Sequence, residues 1–467
     1  MKVQVSSSSD ALLFYAFLAL LVWLPLPLGS NRWWSLAVFE LCTLALALGW
    51  LVQYLRGRVV PGPALAGAWP ALAILLGVLA WVAFQSVALP VSVVDSLSPV
   101  AAEIHAWAGS HSSLSLNTSA TRSAALETLT LILVFALCLV LVNTRERLRA
   151  LSVVLIVSGV FQAAYGSVMT LSGLEYGFLV EKEAYRGVAT GTFVNRNHLA
   201  GYLEMCLAVG IGLLLSDLAR DRAPNWRASM RRFLQSLLGR KGLLRLSLAL
   251  MVIALVLTRS RMGNTAFFAS LAITGLLFLV ARKRLTRSSL VFFASLLVID
   301  LLIVGNFFGV EKVVQRLQET SASTEHRDEV VQESLQIVAD FPLAGTGAGS
   351  YYSTYPGYAS GVVPQVYDHT HNDYVEFASE FGLAGLSLLA GAVLYCLYLA
   401  LQALFRRRDP MMHGCAFACV MGTGALLIHS ATDFNLQIPA NAGLFMVVLA
   451  LGVISASAQI QRAPSSA

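Results

Sequence analysis

The sequence predicts an all-α, polytopic integral membrane protein with about 12 transmembrane helices, and two observations carry this prediction. Of the 467 residues, 57% are hydrophobic and only 12% are charged. The apolar residues come in continuous runs of about 20, the length at which a helix crosses a bilayer. Helices are the expected spans because these runs lack the alternation of barrel strands, and a helix satisfies its own backbone hydrogen bonds in hydrocarbon.

Each span is predicted from a long apolar run whose ends carry charged or turn-forming residues. The first run is longer than the core of a signal peptide and is followed at once by another span, so we expect an uncleaved membrane anchor. Residues 1–467 are therefore predicted to form a single membrane domain. The predicted spans lie near residues 11–28, 34–53, 65–87, 124–142, 151–172, 198–216, 244–258, 264–281, 289–308, 378–404, 411–431 and 441–459.

The basic residues set the predicted orientation. Arginines cluster in alternate loops, near residues 56–58, 145–149, 220–245, 282–287 and 406–408. Because cytoplasmic loops are enriched in arginine and lysine, both termini are predicted to be cytoplasmic. The net charge of +6 then reflects membrane topology, which argues against a nucleic-acid partner. All six cysteines fall inside predicted spans, where we expect no disulfides.

Two connecting segments have distinctive patterns. Residues 217–243 are predicted to form a cytoplasmic interfacial loop, since the apolar residues from Trp226 to Leu237 recur on one face of a basic helix. Residues 309–377 are predicted to form a large periplasmic loop that carries short helices and a catalytic motif. Within it, GTGAGS at 345–350 is either a glycine-rich turn or a backbone site for a phosphate.

Four polar sites are predicted to lie on the outward side of the membrane. Arg196 lies between two asparagines at the mouth of one span, and Arg259 and Arg261 lie in a short turn between two others. Arg327 lies on a short outer helix, and DHTHND at 368–373 carries two histidines. Guanidinium groups bind pyrophosphate at two points, and a histidine can move a proton. The set therefore indicates a transferase whose leaving group is a lipid diphosphate and whose nucleophile is a hydroxyl.

These sites form an ordered series of short motifs along the chain. Asn195-Arg196-Asn197 comes first and Ser260-Arg261 second. Arg327 follows with DFPLAGTG at 340–347, and the segment from His371 to Gly385 reads HN-x-Y-x-E-x(3)-E-x-G-x-x-G. As a set, over roughly residues 185–440, they resemble the O-antigen ligase and O-antigen polymerase superfamily.

The resemblance implies a metal-independent, inverting glycosyltransferase of the bacterial inner (cytoplasmic) membrane, with no cofactor and with its active site facing the periplasm. Such an enzyme takes a glycan from an undecaprenyl-diphosphate-linked oligosaccharide and passes it to an acceptor hydroxyl during cell-surface polysaccharide or lipopolysaccharide biosynthesis. The acceptor is the lipid A core for a ligase and another lipid-linked glycan for a polymerase, and the sequence leaves both open. Membrane lipids are the other expected partners.

Residue by residue, the resemblance makes His371 the catalytic residue, either as the general base or as the group that orients the acceptor, and places the diphosphate on Arg196 and Arg261. Arg327 is a further candidate for diphosphate binding, although an arginine at that place can instead position the loop. The residues expected to support the site are Asn195, Asn197, Asn372, Tyr374 and Glu376.

These assignments have competing interpretations. His369 and His371 form an H-x-H pair, a fragment that also occurs in metal sites or in a solvated loop. Arg196 is alternatively an arginine that reaches lipid head groups. Arg261 fits the register of the family, whereas Arg259 is free to face lipid phosphate.

Other polar residues are assigned by their position in the predicted spans and loops. His198 is expected to be a packing residue rather than a second base. Asp433 and Asn435 are expected to line the same cavity as the four polar sites. His429 is expected inside the helix bundle. The histidines expected at the surface are His105, His111, His326 and His413.

Two other functions compete with the enzyme. A multi-span transporter or flippase of lipid-linked oligosaccharide would also bury arginines for a diphosphate, but such proteins bind near the midplane of the membrane. A non-enzymatic scaffold for envelope assembly would gain nothing from histidine and arginine held at the membrane edge. Both alternatives are weaker than the transferase because the predicted polar set is confined to the outward side.

Overall fold

The computed structural model describes residues 10–218, 239–282, 327–360 and 367–457. Within these ranges the chain is mostly helical, as predicted. The strands found there form one antiparallel hairpin, β1 (Tyr176–Gly177) with β2 (Val180–Glu181). The α-helices are α1 (Ala11–Trp23), α2 (Trp33–Leu55), α3 (Pro63–Gln85), α4 (Val91–Leu97), α5 (Pro99–Ala108), α6 (Thr118–Leu141), α7 (Arg145–Ser172), α8 (Arg196–Leu218), α9 (Arg240–Leu257), α10 (Arg261–Arg282), α11 (Arg327–Asp340), α12 (Tyr351–Thr354), α13 (Asp373–Arg406), α14 (Pro410–His429) and α15 (Pro439–Ser457).

Nine helices of the described ranges are long and apolar enough to cross a membrane, namely α2, α3, α6, α7, α8, α10, α13, α14 and α15. The helix α1 is shorter than the span predicted at 11–28. It ends at Trp23, just before Pro25 and Pro27, which cannot continue a regular helix. The predicted span at 244–258 lies in α9, whose first two turns carry three basic residues.

Some predicted segments lie partly or wholly outside the described residues. These are the span at 289–308 and most of the interfacial loop at 217–243. Of the predicted outer loop at 309–377, the structure describes 327–360 and 367–377. The part of the chain that is described has nine candidate spans, and the count of about 12 stays a prediction.

The centre of the bundle is formed by α8, α14 and α15. These three helices are almost completely buried, whereas α2, α3 and α13 leave most of their surface exposed for lipid. α8 packs against α7, α9, α10, α14 and α15. Because α8 is enclosed by protein, its polar residues His198 and Glu204 lie in the interior of the bundle.

The contact between α8 and α14 is close because two glycines face each other. A Cβ atom added at Gly212 would overlap the backbone oxygen of Gly414, and one added at Gly414 would overlap that of Gly212. Small residues let helix backbones approach closely in membranes, where packing rather than the hydrophobic effect drives association.

We expect Gly414→Val to destabilise the protein by about 1–3 kcal/mol, because the added side chain forces α14 away from α8. The measurement is the unfolding temperature of the purified protein in detergent. Gly424→Ala is the matched control on the same helix, since its added Cβ would meet only Ser270 Cβ at an ordinary 3.7 Å. Equal unfolding temperatures for the two variants would contradict this account of the helix contact.

Three ion pairs fix the end of the bundle where α7 begins. Arg145 pairs with Asp409, which caps α14. Arg147 pairs with Asp10 before α1 at 2.6 Å, and Arg149 pairs with Asp217 near the end of α8 at 2.9 Å. Three arginines of one predicted cytoplasmic cluster thus each hold a different helix.

We call the opposite end of the bundle, where α8, α10 and α13 begin, the outer end. The short helices α4, α5, α11 and α12 pack together at this end around one apolar cluster. Gln85, the last residue of α3, joins this cluster to α13, because its amide donates to the backbone oxygens of Ala344 (2.7 Å) and Glu380 (2.8 Å). The apolar cluster contains Val94, Ala101, Ala102, Leu114, Val330, Ile337, Phe341, Ala344, Tyr351 and Tyr355.

Candidate functional site

The start of α8 places Arg196 at the outer end. Asn195 precedes the helix, and its side-chain oxygen accepts from the backbone amide of Asn197 at 2.9 Å. Arg196 is half-buried, and its guanidinium carbon lies 5.8 Å from the centre of the Tyr185 ring. Its buried Nε atom has no hydrogen-bond partner among the described residues. A buried donor without a partner is costly, so this guanidinium is suited to an anionic ligand.

The turn between α9 and α10 carries the next two arginines. Arg259 has a left-handed backbone (φ 52°), and Arg261 is the first residue of α10. Both side chains are exposed, so burial does not distinguish them. Ser260 between them caps α10, because its hydroxyl accepts from the amide of Gly263 at 3.2 Å. A Cβ atom added at Gly263 would lie 2.7 Å from Ala200 Cβ, which brings the start of α10 against α8.

The start of α13 is held against the end of α14. Asn372 is the N-cap of α13 and accepts from the amides of Tyr374 (3.0 Å) and Val375 (3.2 Å). Its side-chain nitrogen donates to the backbone oxygen of Ala431, and the Tyr374 hydroxyl donates to that of Leu427 at 2.7 Å. These contacts give Asn372 and Tyr374 a structural position consistent with the supporting role predicted for them.

Glu376 shapes the loop that precedes α13. Its buried carboxylate lies 2.6 Å from His369 Nδ1 and accepts from the backbone amide of Thr370 at 2.9 Å. Burial alone would lower the pKa of His369, but the charge and hydrogen bond of Glu376 raise it to about 9. His369 is therefore a cation at neutral pH, paired with Glu376 within the loop.

His371 lies in the same loop but has different surroundings. Its backbone is left-handed (φ 57°), a conformation that is rare for residues other than glycine and that is frequent at functional sites. Its Nδ1 atom lies 4.0 Å from Asp433 Oδ1. Burial and the nearby positive charge of Arg327 lower the pKa of His371 to about 4. His371 is therefore neutral at pH 7 and able to accept a proton.

Asp433 joins two motifs that are distant in the sequence. Its Oδ1 atom faces His371 and lies 3.6 Å from His198 Nε2, while its Oδ2 atom accepts from the side chain of Asn197. Burial alone would raise the pKa of Asp433, but the neighbouring His198 and Arg327 hold it below its usual range. Asp433 is consequently an anion that both histidines share.

Phe434 is the apolar centre of this site. Its ring centre lies 4.4 Å from that of His369, 4.7 Å from that of His198 and 4.8 Å from that of His371. Three histidines from two motifs thus pack around one aromatic ring. Nothing in the sequence pattern singled out Phe434, since an aromatic residue next to a predicted span is ordinary.

The structure brings together most of the residues predicted for the site. His371, Asn197 and the predicted cavity residue Asp433 are neighbours, and Arg327 lies close enough to change the pKa values of His371 and Asp433. Asn435 is also buried here, where its side-chain oxygen accepts from Asn441 at 2.9 Å. His198 is buried as expected of a packing residue, although it also faces Asp433.

The glycine-rich segment 345–350 is a packed turn. Its Thr346 and Gly347 amides donate to the backbone oxygens of Ser379 (2.8 Å) and Glu380 (3.0 Å). Ala348 donates its amide to Gln85 Oε1 at 3.3 Å. Because these amides are used inside the protein, the turn is favoured over a phosphate site.

Two histidines expected at the surface are buried, and that prediction was wrong for them. His105 packs at the end of α5, where its ring nitrogens lie 2.7 Å from the Ser110 hydroxyl and 3.4 Å from the Ser113 hydroxyl. His413 lies in the first turn of α14 beside Phe278, because that turn is enclosed by other helices. The other assignments are correct for His111, which is exposed, and His429, which is inside the bundle, while His326 lies outside the described residues.

The fold and the site define a class of protein: a multi-helix membrane protein with arginines, histidines and a shared carboxylate at one end of its bundle. Residues 246–390 match the family model described as O-antigen ligase, which confirms the resemblance to the O-antigen ligase and polymerase superfamily. The match supports a membrane glycosyltransferase of the ligase or polymerase type. It includes Arg261, Arg327 and His371, whereas Arg196 and Asp433 lie outside it. No curated protein matches the chain.

Proposed function

We propose that this protein transfers a glycan from undecaprenyl diphosphate to an acceptor hydroxyl at the periplasmic face of the bacterial inner membrane. The observation that carries the proposal is a neutral histidine, His371, next to the anion Asp433, with three arginines at the same end of the bundle. His371 lies in the loop before α13, whereas the three arginines lie at the starts of α8, α10 and α11. In this proposal the reacting bond lies between the histidine and the arginines. The arginines are Arg196, Arg261 and Arg327.

His371 is the general base of the proposed reaction. Asp433 faces Nδ1 and favours the tautomer with its proton there, which leaves Nε2 as the acceptor. The proton of the acceptor O–H moves to Nε2, and the oxygen forms a bond to the anomeric carbon. The bond from that carbon to the diphosphate oxygen breaks, and its electron pair leaves with the diphosphate. Attack on the face opposite the leaving group inverts the linkage.

The arginines bind the diphosphate and compensate the charge that it gains. Arg196 presents a buried donor that has no partner among the residues that the structure describes, and Arg261 lies on the first turn of α10, which packs against α8. Guanidinium remains charged at all relevant pH values and binds two phosphate oxygens at once. In this scheme the arginines supply the electrostatic stabilisation, and the reaction uses neither a metal ion nor a cofactor.

The acceptor distinguishes a ligase from a polymerase. A ligase passes the glycan to the lipid A core, and a polymerase passes it to another lipid-linked repeat. The site geometry is compatible with both, because both acceptors offer a sugar hydroxyl to the same base.

The test is a transfer assay with purified protein in a bilayer, a lipid-linked oligosaccharide and each acceptor in turn. We expect a new glycosidic bond with one acceptor and release of undecaprenyl diphosphate, unchanged by a chelator. Restoration of chelator-inhibited transfer by one divalent ion would contradict the metal-independent reaction. Movement of the lipid-linked oligosaccharide across the bilayer without a new glycosidic bond would favour the transporter instead.

A further inference from the structure

The bundle contains a buried pair of ionisable residues that the proposed reaction does not use. Glu204 lies on α8, about two turns after Arg196, and His429 is the last residue of α14. His429 Nδ1 lies 2.9 Å from Glu204 Oε1, and both side chains are at most 1% exposed. Both belong to helices long and apolar enough to span a membrane, and the pair lies inside the bundle near its outer end.

Stability does not account for this pair. Glu204 Oε2 and His429 Nε2 are buried and have no hydrogen-bond partner among the described residues. An incompletely satisfied buried pair is often no more stable than two apolar side chains of similar volume. Ionisable residues inside a membrane bundle commonly mark a functional region, which raises the question of what this pair holds in place.

On one side, the pair is fixed to the two helices that carry the arginines. A Cβ atom added at Gly263 would lie 3.2 Å from Glu204 Oε1 and 2.7 Å from Ala200 Cβ. Glu204 therefore packs against the first turn of α10, two residues after Arg261. Arg196 begins α8 itself. The carboxylate thus belongs to the packed pair of helices α8 and α10, a unit that contains both proposed diphosphate-binding residues.

On the other side, the pair is fixed to the segment that carries the base. Ser430, directly after His429, donates its hydroxyl to Asp373 Oδ2 at 2.6 Å. The backbone amide of Asp373 donates to the backbone oxygens of Ser430 (3.0 Å) and Asp433 (3.2 Å). Asp373 begins α13, two residues after His371. The end of α14 therefore positions both His371 and the aspartate that faces it.

We infer that Glu204 and His429 form a positioning pair, which sets the distance between the diphosphate-binding arginines and the His371–Asp433 base. This inference rests on the proposed function. Loss of the pair is expected to misalign base and anomeric carbon while each half of the site stays intact. Because catalysis depends steeply on the alignment of reacting groups, kcat should fall by at least about tenfold. The KM for the donor should change by less than about threefold, since both arginines remain in one unit.

The test compares Glu204→Leu/His429→Leu with the wild-type protein, purified and placed in lipid nanodiscs. We expect the double variant to unfold at or above the wild-type temperature, with the loss of kcat and the retained donor KM given above. Arg149→Leu/Asp217→Leu is the matched control, because it removes another ion pair of α8 at the opposite end of the same helix. The control should leave kcat unchanged.

A normal kcat in the Glu204/His429 double variant, or an equal loss in the control, would overturn the positioning role. A fall in unfolding temperature together with worse kcat and worse KM would also overturn it, because that pattern marks a general role in folding. If the double variant is not produced in usable amounts, His429→Asn is the substitute test of the positioning role. Asparagine stays polar but is too short to reach Glu204. It should reproduce the loss of kcat at unchanged KM, and an unchanged kcat would refute the inference.

The wild-type protein separates this inference from the proposed function. If the wild type transfers glycan and the Glu204/His429 variants have a normal kcat, the positioning role is wrong and the proposed function stands. Absence of transfer by the wild type with every acceptor removes the proposed function, and the positioning role with it.

Discussion

His371→Ala is expected to lower glycan transfer by about 10²–10⁴-fold, because a positioned general base contributes a factor of that size. The variant should reach the membrane in normal amounts, since the His371 side chain makes no hydrogen bond that holds the described fold. The measurement is the transfer rate of purified protein, normalised to the amount of folded protein.

His369→Ala is the control for this result. His369 is bonded to Glu376 and lies against the same Phe434 ring, but its pKa is raised to about 9, so it carries a proton already at pH 7. We expect the variant to keep at least about a tenth of wild-type transfer, as for loss of an orienting contact. The assignment of the base is wrong if His369 proves indispensable and His371 does not.

The pH profile gives a second measure of the same base. Because catalysis needs neutral His371 and its pKa is lowered to about 4, kcat/KM should be level at neutral pH and fall only as pH decreases through about 4. Burial and the charge of Arg327 both lower this pKa, so Arg327→Gln should move the acid limb towards higher pH. An acid limb at the ordinary histidine value of about 6.5 in the wild type would show that His371 is not buried beside Arg327 in solution.

Arg196→Lys and Arg261→Lys are each expected to lower transfer by at least about tenfold. Lysine keeps the positive charge but loses the planar, two-point contact with phosphate oxygens. An arginine that only reaches lipid head groups would tolerate the same change. The experiment therefore separates diphosphate binding from anchoring to lipid, provided that all variants are present at equal levels in the membrane.

Arg259→Lys is the internal comparison for the arginine variants. Arg259 and Arg261 are both exposed and lie two residues apart, so the two variants are matched in exposure and in position along the chain. We expect Arg259→Lys to be tolerated because Arg261 fits the register of the family. Near-normal transfer by both Arg196→Lys and Arg261→Lys would contradict diphosphate binding by these arginines. The proposal of an enzyme would then depend on His371 alone.

The sequence predicted the helices well where apolar runs are uninterrupted, and less well where they begin with polar residues. α13 starts at Asp373, although a start at 378 was predicted, because Asp373 and Glu376 are buried against protein partners. Hydropathy treats such residues as outside the span. α13 is also interrupted at Gly382 (φ 62°), where the backbone approaches the segment around Leu343 so closely that no side chain fits. Neither feature depends on local sequence alone.

The candidate site was predictable as a set of motifs but not as an arrangement. His369 and His371 lie two residues apart, yet burial and Arg327 lower the pKa of His371, whereas Glu376 outweighs burial and raises the pKa of His369. The partner of His371 comes from another loop, because Asp433 meets it only after α14 has packed beside α13. The family register pointed to His371 from the sequence, but the surroundings that lower its pKa and raise that of His369 come from tertiary packing.

The central position of α14 and α15 has a consequence for how the chain is made. These are the last described helices to leave the ribosome, yet α8, synthesised much earlier, is enclosed largely by them. Until they insert, α8 must wait in the bilayer with Glu204 unpaired and its glycine face uncovered. Asp433 lies in the connection between the two late helices. A chain that stops before residue 410 therefore carries the three arginines proposed for the site and His371, but lacks Asp433. We expect such a chain to show no transfer.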